Sequence, residues 1–325
     1  MFLVRIVIGF YYFSIITILL KIMQWILFKK LWKRTLDTKS LTDNSTWNEE
    51  MEMLYRLGIS MEETLQYLYS KKPDFESFKK WILENKNEIK TIKSVDSENV
   101  LSKEDLDFWD ENGYIIVKNA IPISDCVETQ KAIWNFLEMN PNTRETWYKG
   151  HSELKGLMLN FFNHPTLNKN RSSLRIQKAY EQLYKTTNIY KTIDKVSFNP
   201  PESKHFKFLG SPLHWDVSLK LPIPFGLQGL LYLTDCDETE GAFHCVPGFH
   251  RKIEQWLGEL KPTDNPRVVA EEKLKPVAVT GNVGDFIIWH KALPHCATPN
   301  LGSSPRMVQY LTYLPDGYKE VSEWI

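Results

Sequence analysis

The sequence predicts an α+β chain ending in an antiparallel β-rich domain: a sandwich, jelly roll or barrel, not a parallel doubly wound sheet. Short β-type runs recur from Lys195 onward, at residues 196–198, 226–233, 243–246, 275–279, 286–289 and 306–314. Pro, Gly, Asn or Asp punctuates most gaps, as expected of short strands joined by turns. Few gaps carry a helical pattern, so the crossover helices of a parallel sheet are missing.

The N-terminus reads differently. Residues 6–28 are apolar except for Ser14, Thr17, Lys21 and Gln24. At about 1.5 Å of rise per residue, a helix of that length crosses a bilayer. Lys29, Lys30, Lys33 and Arg34 follow, against Arg5 alone in front, so the positive-inside rule places the body of the protein in the cytoplasm. Residues 1–35 are therefore expected to form a membrane-anchor helix, with the membrane as a partner. No small-x-small site follows the apolar run, which argues against a cleaved signal peptide. Two alternatives stand. The four polar residues fall on one stripe, as in a helix lying in the membrane plane. A true start at Met23 or Met51 would leave a plain cytoplasmic protein.

Residues 36–96 read as a linker and a small helical region. Residues 36–46 are polar and rich in Thr, Ser, Asp and Asn. Helical periodicity begins at Trp47, Gly58 is a stop, and Ser60 with Glu63 makes a capping-box pattern for a second helix. Pro73–Asp74 precedes a third helix through Phe78, Trp81 and Ile82. About forty residues make a thin core, so this region is expected to pack on a larger body.

Residues 97–325 are expected to form the main domain. Ser102 and Asp105 cap a short helix that Gly113 ends, and residues 114–117 make a strand. A helix runs from Ile123 to about Met139 with Ser124 as its cap, and residues 181–187 make a short helix. The aromatic stretch 147–162 suits a lid or entry wall, or simply core.

Charge excludes one class of function. Forty Lys and Arg balance forty Asp and Glu, with no basic stripe beyond the N-terminus, so nucleic acid is not an expected partner. Cys126, Cys236, Cys245 and Cys296 form no C-x-x-C pair and read as reduced thiols.

The candidate chemistry lies in His214, Asp216, His295 and Arg306. Two imidazoles and one carboxylate occupy one face of an octahedral ion and leave the other positions open, the preference of non-heme Fe(II) in oxygen chemistry. His214 and Asp216, two apart on a strand, point to one face while Trp215 points away. His295 or His290 can supply the third donor. His295 is preferred because Arg306 follows eleven residues later, after a turn that can return it to the same wall. A histidine taken alone is more often structural. Arg306 suits the grip of a carboxylate by two parallel hydrogen bonds. Fe(II), Asp216, a dicarboxylate and Arg306 also sum to near neutrality, which limits the cost of burying charge.

These residues lie within a wider resemblance. Phe108, Gly113, Tyr114, Val117 and Pro122 carry an F-x-x-x-x-G-Y-x-x-V-x-x-x-x-P pattern. Leu213–Asp216, Thr239–Ala242, Val246–His250 and Gly284–Asp285 follow in order, with His290, His295 and Arg306 at matching spacings. Over residues 101–315 the chain resembles the phytanoyl-CoA dioxygenase family of Fe(II)- and 2-oxoglutarate-dependent oxygenases. The resemblance implies a double-stranded β-helix of the jelly-roll, cupin-like kind with flanking helices. It implies Fe(II) held by His214, Asp216 and His295, with Arg306 on the distal carboxylate of 2-oxoglutarate and O2 as the oxidant. The Asp of H-x-D argues against the halogenating relatives. One position departs: two residues after His295 the family often has a hydroxyl or glycine, and here stands Ala297, so a secondary contact to the co-substrate is expected to be either missing or replaced by Gln228 or Ser304. His244 and His250 are expected to be structural.

The implied function is a dioxygenase that hydroxylates a small-molecule or lipid-like substrate, with succinate and CO2 as co-products. The alternatives are a non-catalytic metal-binding scaffold and a cupin-like metalloenzyme that does not use 2-oxoglutarate.

Overall fold

A computed structural model describes residues 22–37, 46–87, 99–208, 210–321 and 323–324. The chain divides into two compact units, Met1–Glu88 and Ile89–Ile325.

The first unit is helical. Helix α1 covers residues 22–36, followed by α2 (Trp47–Arg56), α3 (Met61–Lys71) and α4 (Phe75–Asn85). Local chemistry sets the breaks. Gly58 has φ +72°, and a Cβ there would meet the Asn87 carbonyl oxygen at 2.0 Å, so the turn after α2 needs glycine. Ser60 caps α3 by accepting from the Glu63 N–H, and Asp74 caps α4 by accepting from the Ser77 N–H at 2.7 Å. Phe28, Leu31, Leu54, Leu68 and Phe78 make the core, every one of them fully buried. Arg34 and Glu50 form a buried ion pair. Burial raises the Glu50 pKa, and Arg34 opposes that rise.

Most of the expected membrane span, residues 6–21, lies outside the described residues. Its described end is not lipid-facing throughout: Phe28 is fully buried and meets the Phe78 ring edge-on. Arg34, counted with the flanking charges, is occupied by Glu50 inside the unit. Among the described residues no helix is long and apolar enough to cross a membrane.

The second unit mixes helices with antiparallel sheets. In order come α5 (Lys103–Asn112), β1 (Tyr114–Val117), α6 (Ile123–Phe136), β2 (Leu154–Lys155), β3 (Met158–Leu159), α7 (Pro165–Asn170) and α8 (Leu174–Tyr184). Then follow β4 (Ile189–Lys191), β5 (Val196–Asn199), β6 (Leu227–Tyr232), β7 (Phe243–Cys245), α9 (Ile253–Glu259) and α10 (Pro266–Lys273). The last are β8 (Val277–Val279), β9 (Phe286–His290), β10 (His295–Ala297), β11 (Arg306–Tyr310) and β12 (Tyr313–Pro315).

A seven-stranded sheet has the order β1-β9-β6-β11-β5-β3-β2, a three-stranded sheet β10-β7-β8, and β12 pairs with β4. The period-2 rule divides the large sheet. Phe286, Ile288, Met307 and Leu231 face one core, shared with Ile133 of α6 and Tyr180 of α8. Ile287, Trp289, Val308 and Leu230 face the other, shared with Phe243, Cys245 and Val279 of the small sheet. Helices therefore cover one face of the large sheet and the small sheet covers the other. The candidate site lies on this second face.

Three expected elements shift. The helix expected at 181–187 is the end of α8, which begins at Leu174 because Ser173 caps it by accepting from the Ile176 N–H. Ser124 is not the cap of α6; it lies inside the helix, which follows Pro122 and ends at Phe136. The run 306–314 splits into two strands. Thr192 Oγ1 takes the Thr312 N–H and donates to its carbonyl, which draws the chain off the large sheet after Tyr310.

Candidate metal centre

His295 opens β10 opposite Cys245 of β7. His214 joins it through an isolated antiparallel bridge: His214 N–H donates to the His295 carbonyl at 3.0 Å, and the return bond is 2.9 Å. This backbone pair fixes the two imidazoles side by side, with ring centroids 4.6 Å apart. Trp215 points the other way, fully buried, and its Nε1 donates to the Ala292 carbonyl at 2.9 Å. Asp216 then returns to the face of His214.

The tautomers follow from the partners. His214 Nδ1 lies 2.9 Å from the Pro212 carbonyl, and His295 Nδ1 lies 3.1 Å from that of Leu293. A carbonyl only accepts, so each Nδ1 carries the proton and each Nε2 presents a lone pair inward. The two Nε2 atoms converge on Asp216, His295 at 3.2 Å from Oδ2 and His214 at 3.5 Å from Oδ1. One ligand atom from each of the three residues lies within 4.8 Å of the others. Lone pairs aimed at a carboxylate repel unless a cation or proton lies between them, so this donor set fits a divalent ion.

Charges agree. Burial tends to raise the Asp216 pKa, but the pull of His214 and His295 in their protonated forms, with the hydrogen bond from Gln228, outweighs it and holds the carboxyl well below its usual range. A second proton, on His214 Nε2, bonds to Asp216, and this raises the His214 pKa against the opposing effect of burial. Gln228 of β6 donates from Nε2 to Asp216 Oδ2 at 2.8 Å, while its Oε1 has no partner.

Arg306 opens β11 on the same inner face, paired with Asn199 of β5. It is 4% exposed, and its Nε has no partner. Among the described residues no carboxylate forms an ion pair with it. Its guanidinium lies 5.8 Å from the Tyr232 ring centroid. Burial opposes the charge, but Tyr310, Tyr232 and Cys236 beside it raise its pKa further, so it remains a cation. A buried, unpaired cation costs several kcal/mol, a cost that an anionic ligand removes.

The other expected residues separate cleanly. His290 lies on the opposite face, in the parity of Phe286 and Ile288. Its Nδ1 accepts from the Ala292 N–H at 2.9 Å, and burial pushes its pKa down to about 4. His244 Nδ1 meets the Ala242 carbonyl and His250 Nε2 meets that of Asp110, so both serve the fold. Ser304 is exposed, and its carbonyl accepts from Asn300 Nδ2, so the fold engages its backbone. Trp147, Phe161 and Phe162 are buried in the core, the plainer of the two readings of that stretch. Two residues were missed. Tyr310 shares the face of Arg306 by strand parity, a signal present in the sequence. Arg267 of α10 reaches backbone beside Asp216, and no motif marks it.

A sequence profile described as Phytanoyl-CoA dioxygenase (PhyH) matches residues 109–308. The chain belongs to the phytanoyl-CoA dioxygenase family. It is therefore a 2-oxoglutarate-dependent oxygenase, with iron and 2-oxoglutarate as its cofactors. A Dictyostelium discoideum protein with a provisional phytanoyl-CoA dioxygenase name is 21% identical over 262 residues, 64% of this chain and 74% of that protein. The GlcNAc-inducible gene 2 product of Candida albicans shares the fold, with a TM-score of 0.50 and 14% identity, over 67% of this chain and 64% of that one. The carbocyclase SnoK of nogalamycin biosynthesis, described as non-heme and α-ketoglutarate-dependent, has a TM-score of 0.48 and 20% identity over 66% of this chain and 84% of that one.

Proposed function

We propose that this protein hydroxylates a small-molecule or lipid-like substrate, releasing succinate and CO2. The reading rests on one observation above all: Arg306 is a buried cation without an ion-pair partner among the described residues, on the same inner wall as the two imidazoles and the carboxylate. Iron and 2-oxoglutarate supply the oxidising chemistry when bound. The chain's own residues supply its geometry. His214, Asp216 and His295 hold the metal on one face. Arg306 draws the far carboxylate of the co-substrate inward and fixes its direction. Gln228 holds Asp216 from the side.

Exposure separates the two ends of the centre. The side chains of His214 and Asp216 are 34% and 47% exposed, whereas His295 is 8% exposed. The co-substrate's inner end therefore belongs at Arg306, and the substrate approaches from the open side by His214 and Asp216.

The test uses purified protein with Fe(II), 2-oxoglutarate and isotopically heavy O2, incubated with metabolite and lipid extracts from cells that lack the gene. The expected result is succinate formation together with a product heavier by one labelled oxygen. Turnover of 2-oxoglutarate that no extract component accelerates, with no labelled product, overturns the hydroxylase reading.

A further inference from the structure

We propose that Arg267 is a positioning residue for the metal-binding carboxylate, fixing the backbone on both sides of Asp216. The inference rests on the reading of His214, Asp216 and His295 as metal ligands.

The segment that carries Asp216 has little sheet to hold it. Its ladder consists of the single bridge between His214 and His295. In an antiparallel pair, alternate residues turn their N–H and C=O groups toward the partner and away from it. His214 faces His295, so the carbonyls of Trp215 and Val217 face outward, where a further strand would lie.

Arg267 occupies that place. Its Nη1 donates to the Trp215 carbonyl at 2.9 Å and its Nη2 to the Val217 carbonyl at 3.0 Å. One planar fork thus spans two carbonyls two residues apart, with Asp216 between them. The fork is itself well fixed. Arg267 is the second residue of α10, after Pro266, and its N–H donates to the capping Asn265 side chain at 3.0 Å. Ala270, one turn on, is buried in the core behind the site. Trp324 covers the guanidinium at 4.9 Å from its ring centroid.

Charge alone does not account for this residue. A cation beside Asp216 repels an incoming divalent ion, so a purely electrostatic role makes Arg267 a weakening influence on metal binding. A positioning role has the opposite sign. Lysine keeps the charge but offers no planar fork, so it separates the two.

The experiment titrates Co(II), an air-stable probe, into the full chain and into Arg267→Lys and Arg267→Ala, with melting of each metal-free protein measured alongside. The visible spectrum of bound Co(II) reports ligand geometry. The expected result is Co(II) affinity about tenfold weaker in Arg267→Lys, in line with losses of supporting contacts around metal sites, and an altered spectrum. Trp324→Ala, which leaves the fork in place, is expected to shift affinity in the same direction by less. Unchanged or tighter Co(II) binding by a folded Arg267→Lys protein overturns the inference alone. Failure of the unsubstituted chain to bind Co(II) overturns the metal-centre reading and this inference with it.

Discussion

His295 Nε2 lies 3.2 Å from Asp216 Oδ2, although 79 positions separate the two residues in the chain. The small sheet brings them together: His295 starts β10, and the bridge to His214 carries Asp216 to the same wall. Asp216→Ala removes the only anionic donor of the three. Its Fe(II) affinity is expected to fall by more than about 100-fold, because losing the carboxylate leaves two neutral imidazoles to hold the ion. Anaerobic titration of Fe(II) measures this. Binding within a few-fold of the unsubstituted protein means that the ion sits elsewhere.

Arg306 has a cost and a use, and one substitution separates them. Arg306→Met removes a buried cation without an ion-pair partner and replaces it with an apolar chain of similar length. The metal-free, ligand-free protein is expected to melt at a higher temperature than its parent. Affinity for 2-oxoglutarate is expected to weaken by about tenfold to 100-fold, the loss of a charged hydrogen bond worth about 1.5–3 kcal/mol. The visible band formed by Fe(II) and 2-oxoglutarate without oxygen reports that affinity. An unchanged band titration favours a metalloenzyme that does not use 2-oxoglutarate.

The large features of this chain were legible because they follow from side-chain periodicity. Strand parity puts Arg306, Val308 and Tyr310 on one face and Met307 and Gln309 on the other. The same parity, once β9 is seen to run from Phe286 to His290, removes His290 from the site and leaves His295. Less was legible where the deciding contact involves backbone. Arg267 acts on two carbonyls some fifty positions upstream, and a carbonyl leaves no signature in residue type. The end of β11 depends on Thr192 meeting Thr312, 120 positions away. The start of α8 depends on which of Ser172 and Ser173 becomes the cap, a choice that packing makes.

Ala297 lies two residues after His295 on β10, so its Cβ shares the imidazole's face. Ala297→Ser places a hydroxyl on that face. Its expected effect is tighter binding of 2-oxoglutarate, by about fivefold for one added neutral hydrogen bond of about 1 kcal/mol. The same anaerobic titration reads the change. Tyr310→Phe made alongside tests whether the tyrosine already fills the role. If Ala297→Ser changes nothing while Tyr310→Phe weakens binding, the hydroxyl near Arg306 comes from Tyr310.

Lys191 gives the clearest pH dependence of stability. It is 5% exposed on β4, its Nζ donates to the Arg171 carbonyl at 3.3 Å, and no carboxylate among the described residues forms an ion pair with it. Burial, then the nearby Arg171 charge, pushes its pKa down to about 8 from 10.5. Between those values the unfolded chain binds more protons than the folded one, so stability rises with pH across that window. Below about pH 8 both states are protonated and the burial penalty is present in full, up to about 3 kcal/mol. Lys191→Met keeps the volume, and Tyr313 still donates to the Arg171 carbonyl at 3.1 Å, so no acceptor is stranded. The variant is expected to melt higher at pH 7 and to lose the rise in stability between about pH 8 and 10.5. Urea unfolding across that range measures both effects. A variant less stable at pH 7, with the parent's pH profile intact, shows that Lys191 is not charged at a cost in the folded protein.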